Sequence, residues 1–325
     1  MVTIADVEQA RVRITPVIRR TPLFHSHALS RRLGCDVYLK GEMLQRTGSF
    51  KLRGAYNKIA QLLPEQRERG VVAASAGNHA QGVAVAASLL GTPAIVVMPA
   101  HAPDGKVAAS RAYGAEVILY GAHYHDAAKM AEQLERERGL SLIPGYDDPD
   151  IVAGQGTIGL EILDDLPEFH DVIVPVGGGG LIAGIALAVK DRLPSARVIG
   201  VQSELAASLV ASLAVGEPVS VPVGDTIADG IAVEKPGKIP FEIICSLVDE
   251  VVTVSEAEIR RAIPPLLQRA KLVAEGAGAV PLAALMAGKI GGTGRRVVLV
   301  LSGGNIDLDL LAEVAGSMDS GPLGA

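Results

Sequence analysis

The sequence predicts an α/β fold in which mostly parallel strands are covered by helices. Short apolar runs alternate with helical patterns along the chain, and this alternation is typical of parallel sheets with helices on their faces. Abundant Ala, Val, Gly and Leu, with only 3% aromatic residues, favour buried strands and closely packed helices. The length of 325 residues, with 49% hydrophobic composition, is sufficient for two lobes.

Apolar spacing places the helices and strands in order along the chain. The predicted helices are Ile4–Arg13, Leu29–Leu33, Phe50–Leu63, Asn78–Leu90, Gly105–Tyr113, Asp126–Glu137, Thr157–Leu166, Leu181–Lys190 and Leu205–Ala214. The predicted strands are Asp36–Lys40, Val71–Ser75, Ala94–Met98, Val117–Tyr120, Leu140–Ile143, Val172–Val176, Val198–Gln202, Val251–Val254 and Val297–Leu301. Gly34, Gly91, Gly114 and Gly139 each follow a helical pattern and are predicted to end it.

Two local signals mark one more helix and its disturbance. The segment from Ser255 to Glu258 has the spacing of a capped helix start. The pair Pro264-Pro265 falls inside the apolar spacing of the same helix, and proline removes backbone hydrogen bonds there. We therefore expect two helical pieces or a displaced turn at this point.

Composition and charge exclude several classes of function. The formal net charge is −6 and no basic cluster is interleaved with aromatics, which argues against nucleic acid or an anionic membrane surface as partner. The N-terminus lacks the pattern of a secretory signal, and the apolar stretch Val83–Leu90 is too short to span a bilayer. Only two cysteines occur, Cys35 and Cys245, so a reducing cytoplasm is the simplest expected location.

A candidate reactive lysine occurs in the motif SFKLRGA at residues 49–55. Lys51 is predicted to lie at the first turn of a helix, after the loop and N-cap residues Thr47, Gly48 and Ser49. The positive end of a helix disfavours an ammonium group, so the neutral amine becomes available as the nucleophile that forms Schiff bases. Taken alone, the same pattern is explained by a solvated lysine at a helix start.

Three further motifs follow apolar runs, at the points where strands are predicted to end. They are SAGNHAQG at residues 75–82, GGGG at residues 177–180 and SGGN at residues 302–305. Open α/β sheets bind ligands at the carboxyl ends of their strands. The side-chain amide of Asn78 and the N–H groups of the turn from Ser75 to His79 are suited to surround an anion. An ordinary strand-to-helix turn is the alternative.

The glycine run at residues 177–180 allows more than one interpretation. Successive glycine N–H groups followed by a helix start can bind a phosphate. The spacing Gly178-x-Gly180-x-x-Ala183, with Glu204 further along the chain, also satisfies the dinucleotide-binding pattern. A purely structural glycine turn is the third alternative. No lysine of the P-loop type follows, so a nucleoside triphosphate is disfavoured.

In combination, the four motifs resemble the fold type II family of pyridoxal-phosphate enzymes, in its threonine/serine dehydratase (threonine ammonia-lyase) branch. The motifs occur in the family's order, and the resemblance covers roughly residues 5–312. It implies a tryptophan synthase β-like fold of two open three-layer α/β lobes. The implied small domain spans residues 45–144, the large domain residues 1–44 and 145–318, and residues 319–325 form a flexible tail. It also implies a homodimer or homotetramer.

The resemblance implies a role for each candidate site residue. Lys51 holds pyridoxal phosphate and then removes the substrate Cα proton, while Phe50 covers one face of the ring. The phosphate is bound by Gly177, Gly178, Gly179, Gly180 and Leu181. Asn78 bonds the ring hydroxyl, and the Ser302 hydroxyl bonds the ring nitrogen. The substrate carboxylate is bound by the loop of Ser75, Ala76, Gly77, Asn78 and His79.

Individual positions distinguish the reactions that this family catalyses. The related serine racemases carry a second serine at position 76 as acid/base, whereas Ala76 has no proton to exchange, so two-base racemisation is expected to be weak. The divalent-metal positions of those relatives fall on Gln202 and Ser208, which are not carboxylates, so no metal site is expected. The chain ends soon after the Ser302 motif, so no C-terminal regulatory domain is expected and the sequence resembles the short catabolic enzymes.

The expected function is therefore the conversion of L-threonine, and also L-serine, to a 2-oxo acid and ammonia by elimination of water. A serine racemase or a 3-hydroxyaspartate dehydratase on the same scaffold is the nearest alternative. An NAD-binding oxidoreductase built on the Gly178 pattern, and a silent binding protein of the same fold, belong to different classes. The colour of a bound Schiff base distinguishes the pyridoxal phosphate enzymes from a dinucleotide-binding protein.

Overall fold

The computed structural model describes residues 2–291 and 293–316, and the predicted tail at 319–325 lies outside these residues. The strands form two sheets. In spatial order, the larger sheet contains β1 (Leu23–His25), β2 (Asp36–Gly41), β10 (Arg296–Leu301), β7 (Asp171–Pro175), β8 (Arg197–Ser203) and β9 (Glu250–Val254). The smaller sheet contains β5 (Glu116–Leu119), β4 (Ala94–Met98), β3 (Val71–Ala74) and β6 (Ser141–Leu142). Only the pairing of β1 with β2 is antiparallel among these described strands.

Helices connect the strands in nearly every case. They are α1 (Ile4–Ile14), α2 (His27–Leu33), α3 (Lys51–Ile59), α4 (Pro64–Arg69), α5 (Asn78–Leu89), α6 (Asp104–Ala112), α7 (Tyr124–Arg138), α8 (Pro149–Asp165), α9 (Gly180–Arg192), α10 (Ser208–Val215), α11 (Lys238–Leu247), α12 (Glu256–Pro265), α13 (Gly276–Met286) and α14 (Leu308–Gly316). The sequence patterns located most of these helices, but α4, α11, α13 and α14 were not predicted.

Each sheet is covered on both faces, because its side chains alternate between two hydrophobic clusters. On β10, Val297 and Leu299 belong to one cluster, whereas Val298 and Val300 belong to the cluster on the opposite face. Strand β3 shows the same period of two between the clusters of the smaller sheet. Two three-layer α/β units with mostly parallel sheets confirm the predicted fold class.

Helix α8 lies between the helix that begins at Lys51 and the helix that follows the glycine loop. A Cβ atom on Gly154 would lie 2.6 Å from the Cα of Gly54 in α3. A Cβ atom on Gly184 in α9 would lie 2.5 Å from the backbone nitrogen of Gly156. These glycines allow three helices to pack with their backbones nearly in contact. The prediction that this helix begins at Thr157 was wrong by eight residues.

A buried charge network fixes the start of α3 against the rest of the molecule. The guanidinium of Arg53 donates to both carboxylate oxygens of Glu42, at 2.8 and 2.9 Å, and to both oxygens of Glu161, at 2.7 and 2.9 Å. The Lys40 ammonium donates to Glu161 at 2.6 Å and to the Thr21 carbonyl at 2.7 Å. Two cations therefore face two anions, and we call these four charged residues the balanced network.

The proline pair displaces one turn without interrupting the helical course. Pro264 and Pro265 are the last two residues of α12, and a π-helical turn, Leu266–Ala270, follows directly. Lys271 then adopts a left-handed conformation with φ of 60° and ends the turn. Proline cannot donate the i−4 hydrogen bond, and the regular α-helix gives way to the wider turn directly after the pair, which agrees with the expected displaced turn.

Candidate active site

The four sequence motifs meet in one cavity, because each follows or faces the carboxyl end of a strand. Its walls are formed by Phe50, Lys51, Asn78, Gly145, Tyr146, Gln155, Pro175, Gly177, Gly178, Gly179, Gly180, Leu181, Gly230, Ile231, Val233, Glu275, Ala277 and Ser302. All the residues predicted to bind the cofactor belong to these walls. The predicted substrate residues Ser75, Ala76, Gly77 and His79 flank Asn78 in the chain instead.

Lys51 is the first residue of α3, as its motif predicted. Its ammonium donates a hydrogen bond to the Gly145 carbonyl at 2.8 Å and lies 5.1 Å from the centre of the Phe50 ring. Burial lowers the pKa of Lys51 to about 8, and the nearby Glu275 carboxylate opposes this shift. The sequence argument gave the right direction for the pKa, but burial rather than the helix dipole is the main cause.

The start of α3 is attached directly to the turn that contains Ser302. The Phe50 N–H donates to the Ser302 carbonyl at 3.1 Å, and Ser49 pairs with Gly303 across an isolated bridge. Phe50 occupies the N-cap position, and the Ser49 hydroxyl makes no hydrogen bond with the described residues. The expectation that Ser49 caps the helix was therefore wrong, because its backbone pairs with Gly303 instead.

The glycine loop joins β7 to α9, as predicted. Gly179 has φ of +94°, a left-handed conformation that strongly favours glycine. Gly180 is the first residue of α9, so the first N–H groups of this 13-residue helix have no partner within the helix. Gly177 to Leu181 line the cavity with this backbone. The loop therefore presents N–H donors and the positive end of a helix to the cavity.

Tyr146 packs against the glycine loop and was not predicted as a site residue. A Cβ atom on Gly178 would lie 2.3 Å from the Tyr146 ring, so only glycine fits beneath it. The Tyr146 hydroxyl donates to the Lys235 carbonyl at 3.2 Å, and burial raises its pKa to about 12. The next residue, Asp147, accepts hydrogen bonds from the first N–H groups of α11. The segment after β6 is thus held against the glycine loop by the Tyr146 ring and against the start of α11 by the Asp147 carboxylate.

Asn78 is the first residue of α5, and hydrogen bonds fix the orientation of its side-chain amide. Its nitrogen donates to Oε1 of Glu275 at 2.7 Å, and its oxygen accepts from the side-chain nitrogen of Asn305 at 2.7 Å. The turn before it is closed by a hydrogen bond from the Gly77 N–H to the Ser75 hydroxyl at 3.1 Å. The amide therefore has one defined orientation in the cavity.

His79 is buried beside this loop and stays neutral. Its Nε2 donates to the Ile143 carbonyl at 2.8 Å, since a carbonyl can only accept. Burial, with a smaller contribution from the positive charge of Lys51, lowers the pKa of His79 to about 3. A proton on both ring nitrogens is strongly disfavoured at neutral pH. The side chain therefore supports the loop and is unsuited to act as a base.

Glu275 is the main site residue that the sequence analysis missed. It directly precedes α13, and only 4% of its surface is exposed. Burial raises the pKa of Glu275 to about 7, with a further contribution from Asp229. A signal was present in the sequence, because Glu275 is a lone acid in the apolar stretch 272–285. Buried unpaired acids are rare and concentrate at functional sites.

Neither Gln202 nor Ser208, the positions at which the resemblance implied no metal site, carries a carboxylate, and the buried Ser208 hydroxyl has no hydrogen-bond partner among the described residues. The side-chain oxygen of Gln202 accepts from the N–H groups of Leu209 and Val210 at 2.9 and 3.1 Å, and thereby caps α10. Glu204 lies 3.2 Å from the Lys289 ammonium. Within residues 2–291 and 293–316, no group of three or more His, Cys, Asp or Glu residues could hold a metal ion.

A buried amine of lowered pKa, an anion-binding glycine loop and a neutral hydroxyl in one cavity define an enzyme that uses an aldehyde cofactor bearing a phosphate. The chain belongs to the pyridoxal-phosphate dependent enzyme family, which matches residues 14–303. Glu204, the ribose-binding candidate of the dinucleotide interpretation, is engaged by Lys289 instead.

Three of the similar proteins are named as a threonine ammonia-lyase, dehydratase or deaminase, and a fourth is a serine racemase. The chain is 50% identical to an L-threonine ammonia-lyase of Thermotoga maritima over 97% of this chain and 78% of that protein. It is 49% identical to the catabolic L-threonine dehydratase TdcB of Staphylococcus aureus over 97% and 92%. A threonine deaminase isoform of Solanum lycopersicum superposes with a TM-score of 0.90 at 40% identity, covering 96% and 93% of the two chains. Maize serine racemase gives a TM-score of 0.92 at 35% identity, with 96% of each chain covered.

The residues present fit pyridoxal phosphate. Lys51 provides an amine for the aldehyde, and Gly177 to Leu181 provide backbone donors in a cradle that side chains would fill. Ser302 is 4% exposed and carries on the cavity wall a neutral hydroxyl that could partner a ring nitrogen. No helix in the part of the chain that the structure describes has the length and apolar composition required to cross a bilayer.

Proposed function

We propose that the protein is a threonine ammonia-lyase, which converts L-threonine to 2-oxobutyrate and ammonia, and L-serine to pyruvate and ammonia. The proposal rests on the arrangement of the Lys51 amine, the glycine loop, Asn78 and Ser302 around one cavity. It is supported by the names of relatives that are about half identical over nearly the whole chain.

We assign each residue the role that the family resemblance implies, and its place in or beside the cavity supports that role. Bound pyridoxal phosphate supplies an electron-withdrawing ring that acidifies the Cα–H bond of the attached amino acid. The Lys51 amine, with a pKa of about 8, takes up that proton. The N–H groups of Gly177 to Leu181 bind the phosphate, and the Ser302 hydroxyl bonds the ring nitrogen. The turn from Ser75 to His79 binds the substrate carboxylate, and Phe50 covers a face of the ring.

Racemisation of serine is the second candidate, because maize serine racemase shares the fold over 96% of this chain. Two-base racemisation needs a second proton donor on the face of the substrate opposite Lys51. Position 76 carries alanine, so the loop offers no hydroxyl there. Elimination of water is therefore favoured over racemisation. Elimination from 3-hydroxyaspartate remains a variant of the same chemistry.

We also propose the domain boundaries, the cellular location and the oligomeric state of the protein. The chain is divided into a small domain of residues 45–144 and a large domain formed by the flanking segments, and the separation of the strands into two sheets supports this division. Both cysteines are free, Cys35 buried and Cys245 exposed, which supports a reducing cytoplasm. A homodimer or homotetramer is proposed from the resemblance, and light scattering of the purified protein tests it.

The decisive experiment is an absorption spectrum of the purified protein before and after addition of L-threonine. We expect a visible band near roughly 415 nm that is typical of this cofactor on a lysine, together with release of 2-oxobutyrate and ammonia. Lys51→Ala removes the amine and is expected to lower turnover by at least about four orders of magnitude. Turnover near the wild-type rate in this variant would contradict the assignment.

Two other outcomes direct the search elsewhere. A band that shifts with threonine without product would overturn threonine as the substrate and direct attention to serine and 3-hydroxyaspartate. No visible band after addition of pyridoxal phosphate would overturn the proposed site.

Chiral analysis of serine after prolonged incubation separates elimination from racemisation, and only slow loss of enantiomeric purity is expected.

A further inference from the structure

We propose that Glu275 is a positioning residue that orients the Asn78 amide toward the cofactor, and that its ionised form is the one that does so. This inference rests on the proposed function, since it assigns Asn78 to the cofactor. Nothing in the chemistry described above uses the Glu275 carboxylate, although it forms part of the wall around Lys51.

The geometry supports a positioning role. Glu275 accepts from the Asn78 side-chain nitrogen at 2.7 Å and also from the backbone N–H of Asn305. The side chain of Asn305 in turn donates to the Asn78 oxygen at 2.7 Å and to the Thr47 carbonyl at 2.8 Å. The Asn78 amide thus has its oxygen and one N–H engaged, and its remaining N–H can donate to the cavity. We call Glu275, Asn78 and Asn305 the amide network.

Two glycines make room for the Glu275 carboxylate at this place. A Cβ atom on Gly303 would lie 2.4 Å from Oε1 of Glu275, and one on Gly230 would lie 3.3 Å from it. The Glu275 N–H donates to the Gly303 carbonyl at 3.1 Å, which fixes the backbone as well. The carboxylate is therefore held by packing against two glycines while it accepts from the amide network.

Three charged groups act on Glu275 from other elements. Asp229, in the short helix 229–231, raises its pKa, and Lys106 of α6 lowers it, while the two form an ion pair at 2.8 Å. Lys51 of α3 is the third, since the Glu275 carboxylate acts on its pKa. Because burial and Asp229 bring the pKa of Glu275 to about 7, its charge changes near neutral pH. Protonation removes an acceptor, so the orienting bond weakens as the pH falls through this value.

The test is a double-mutant cycle read by the dissociation constant of pyridoxal phosphate at pH 8. Glu275→Gln replaces one carboxylate oxygen, which is an acceptor, with an NH₂ group, which is a donor. Asn78 and Asn305 already direct donors at this place, so the hydrogen bond that orients the Asn78 amide is weakened. We expect this change to weaken cofactor binding about tenfold, as for loss of a charged hydrogen bond. In the Asn78→Ala background, the same change is expected to alter the dissociation constant by less than about twofold.

A purely structural role predicts a different pattern. It would lower the thermal midpoint of the cofactor-free protein, and its effect on cofactor binding would persist in the Asn78→Ala background. An unchanged dissociation constant in Glu275→Gln, or equal losses in both backgrounds, would overturn the proposal. If the wild-type protein binds no pyridoxal phosphate or releases no 2-oxobutyrate, the proposed function fails. If it does both and the cycle is additive, only the inference about Glu275 fails.

A pH series gives an independent reading. Cofactor affinity of the wild type is expected to contain a step near pH 7 that is absent from Glu275→Gln. Removing the negative charge in Asp229→Asn lowers the midpoint of that step, and removing the positive charge in Lys106→Ala raises it. A step that persists in Glu275→Gln, or midpoints that do not move in these directions, would contradict the role of the Glu275 charge.

Discussion

The balanced network and the amide network are both buried, but they differ in the groups that compensate their buried carboxylates. In the balanced network, Arg53 and Lys40 face Glu42 and Glu161, and all four side chains are at most 8% exposed. In the amide network, the Glu275 carboxylate accepts from neutral amide donors only. Arg53 of the balanced network lies two residues beyond Lys51 in α3. Glu275 of the amide network lines the same cavity as Lys51.

The difference shows which network serves structure and which serves the site. A buried carboxylate is stable when cations and hydrogen bonds compensate it, as Glu161 is by Arg53 and Lys40. No cation among the described residues donates a hydrogen bond to Glu275, so burial raises its pKa to about 7 in spite of the nearby Lys106 and Lys51, and its charge becomes adjustable. An adjustable charge beside the reactive amine is useful in chemistry and unfavourable for stability.

The largest expected effect comes from breaking the balanced network. Arg53→Met removes a cation that makes hydrogen bonds to Glu42 and Glu161, which leaves two buried carboxylates with only Lys40 as a cation. We expect the free energy of unfolding to fall by about 3–5 kcal/mol, as for loss of one partner of a buried ion pair. Urea denaturation of the variant and the wild type measures this change.

Arg11→Met is the matched control, because Arg11 pairs with Asp164 at 3.3 Å on the surface, with about a third of each side chain exposed. It is expected to change stability by at most about 1 kcal/mol. Equal losses in the Arg53 and Arg11 variants would show that burial of the network contributes nothing.

The second effect has the opposite sign. The pKa of Glu275 is about 7 in the folded protein against 4.5 for the free group, so the folded state binds the proton more tightly. Stability therefore falls as the pH rises from about 4.5 to about 7, and the full cost is present above pH 7. Glu275→Gln removes this cost of about 3 kcal/mol but turns an amide NH₂ toward the donors of Asn78 and Asn305, so we expect the cofactor-free variant to be more stable than wild type by roughly 1–2 kcal/mol at pH 8.

The gain is expected to disappear below about pH 4.5, where Glu275 is protonated in both states. Denaturation of the cofactor-free proteins at pH 8 and pH 4.5 tests this dependence. Glu313→Gln serves as control, because this side chain is 63% exposed and no gain is expected. A loss of stability at pH 8 would place Glu275 with the compensated carboxylates.

The two networks also show how far the sequence could be interpreted. The motifs around Asn78, Gly177 and Ser302 were located because each follows a strand, and the Lys51 motif because it was predicted to begin a helix, and local patterns reveal both features. The hydrogen bond that gives Glu275 its proposed role is made with Asn78, 197 positions away in the sequence, so no local pattern reveals that role. The membership of Arg53 in a buried network is equally a property of the folded chain.

The missed helices have physical explanations of the same kind. Helix α13 is buried on all sides from Gly276 to Leu285, so its residues show no amphipathic period. The start of α8 was missed because Gly154 and Gly156 suggest a loop. In the fold these glycines allow α8 to contact α3 and α9, an advantage that exceeds their low helix propensity.

A third variant tests whether the balanced network tolerates displacement. Helix α8 carries Glu161, and a Cβ atom on Gly184 in α9 would lie 2.4 Å from the Val152 carbonyl of α8. We expect Gly184→Ala to lower the free energy of unfolding by roughly 1–3 kcal/mol, because α8 must move. Gly105→Ala is the control, since Gly105 lies in α6 with open space around it, and it is expected to be neutral or slightly stabilising. Similar losses in both variants would argue against a close α8–α9 contact.

The smallest effect concerns a neutral hydrogen bond beside the same lysine, and it sharpens the contrast with both charged networks. The Tyr146 hydroxyl donates to the Lys235 carbonyl, while the ring lies on Gly178. Tyr146→Phe keeps the ring and removes one uncharged bond, so we expect a loss of only about 0.5–1.5 kcal/mol. Urea denaturation measures it, with Tyr113→Phe as control because that hydroxyl has no partner among the described residues. A loss as large as that of Arg53→Met would show that charge compensation does not decide the cost of breaking a contact near Lys51.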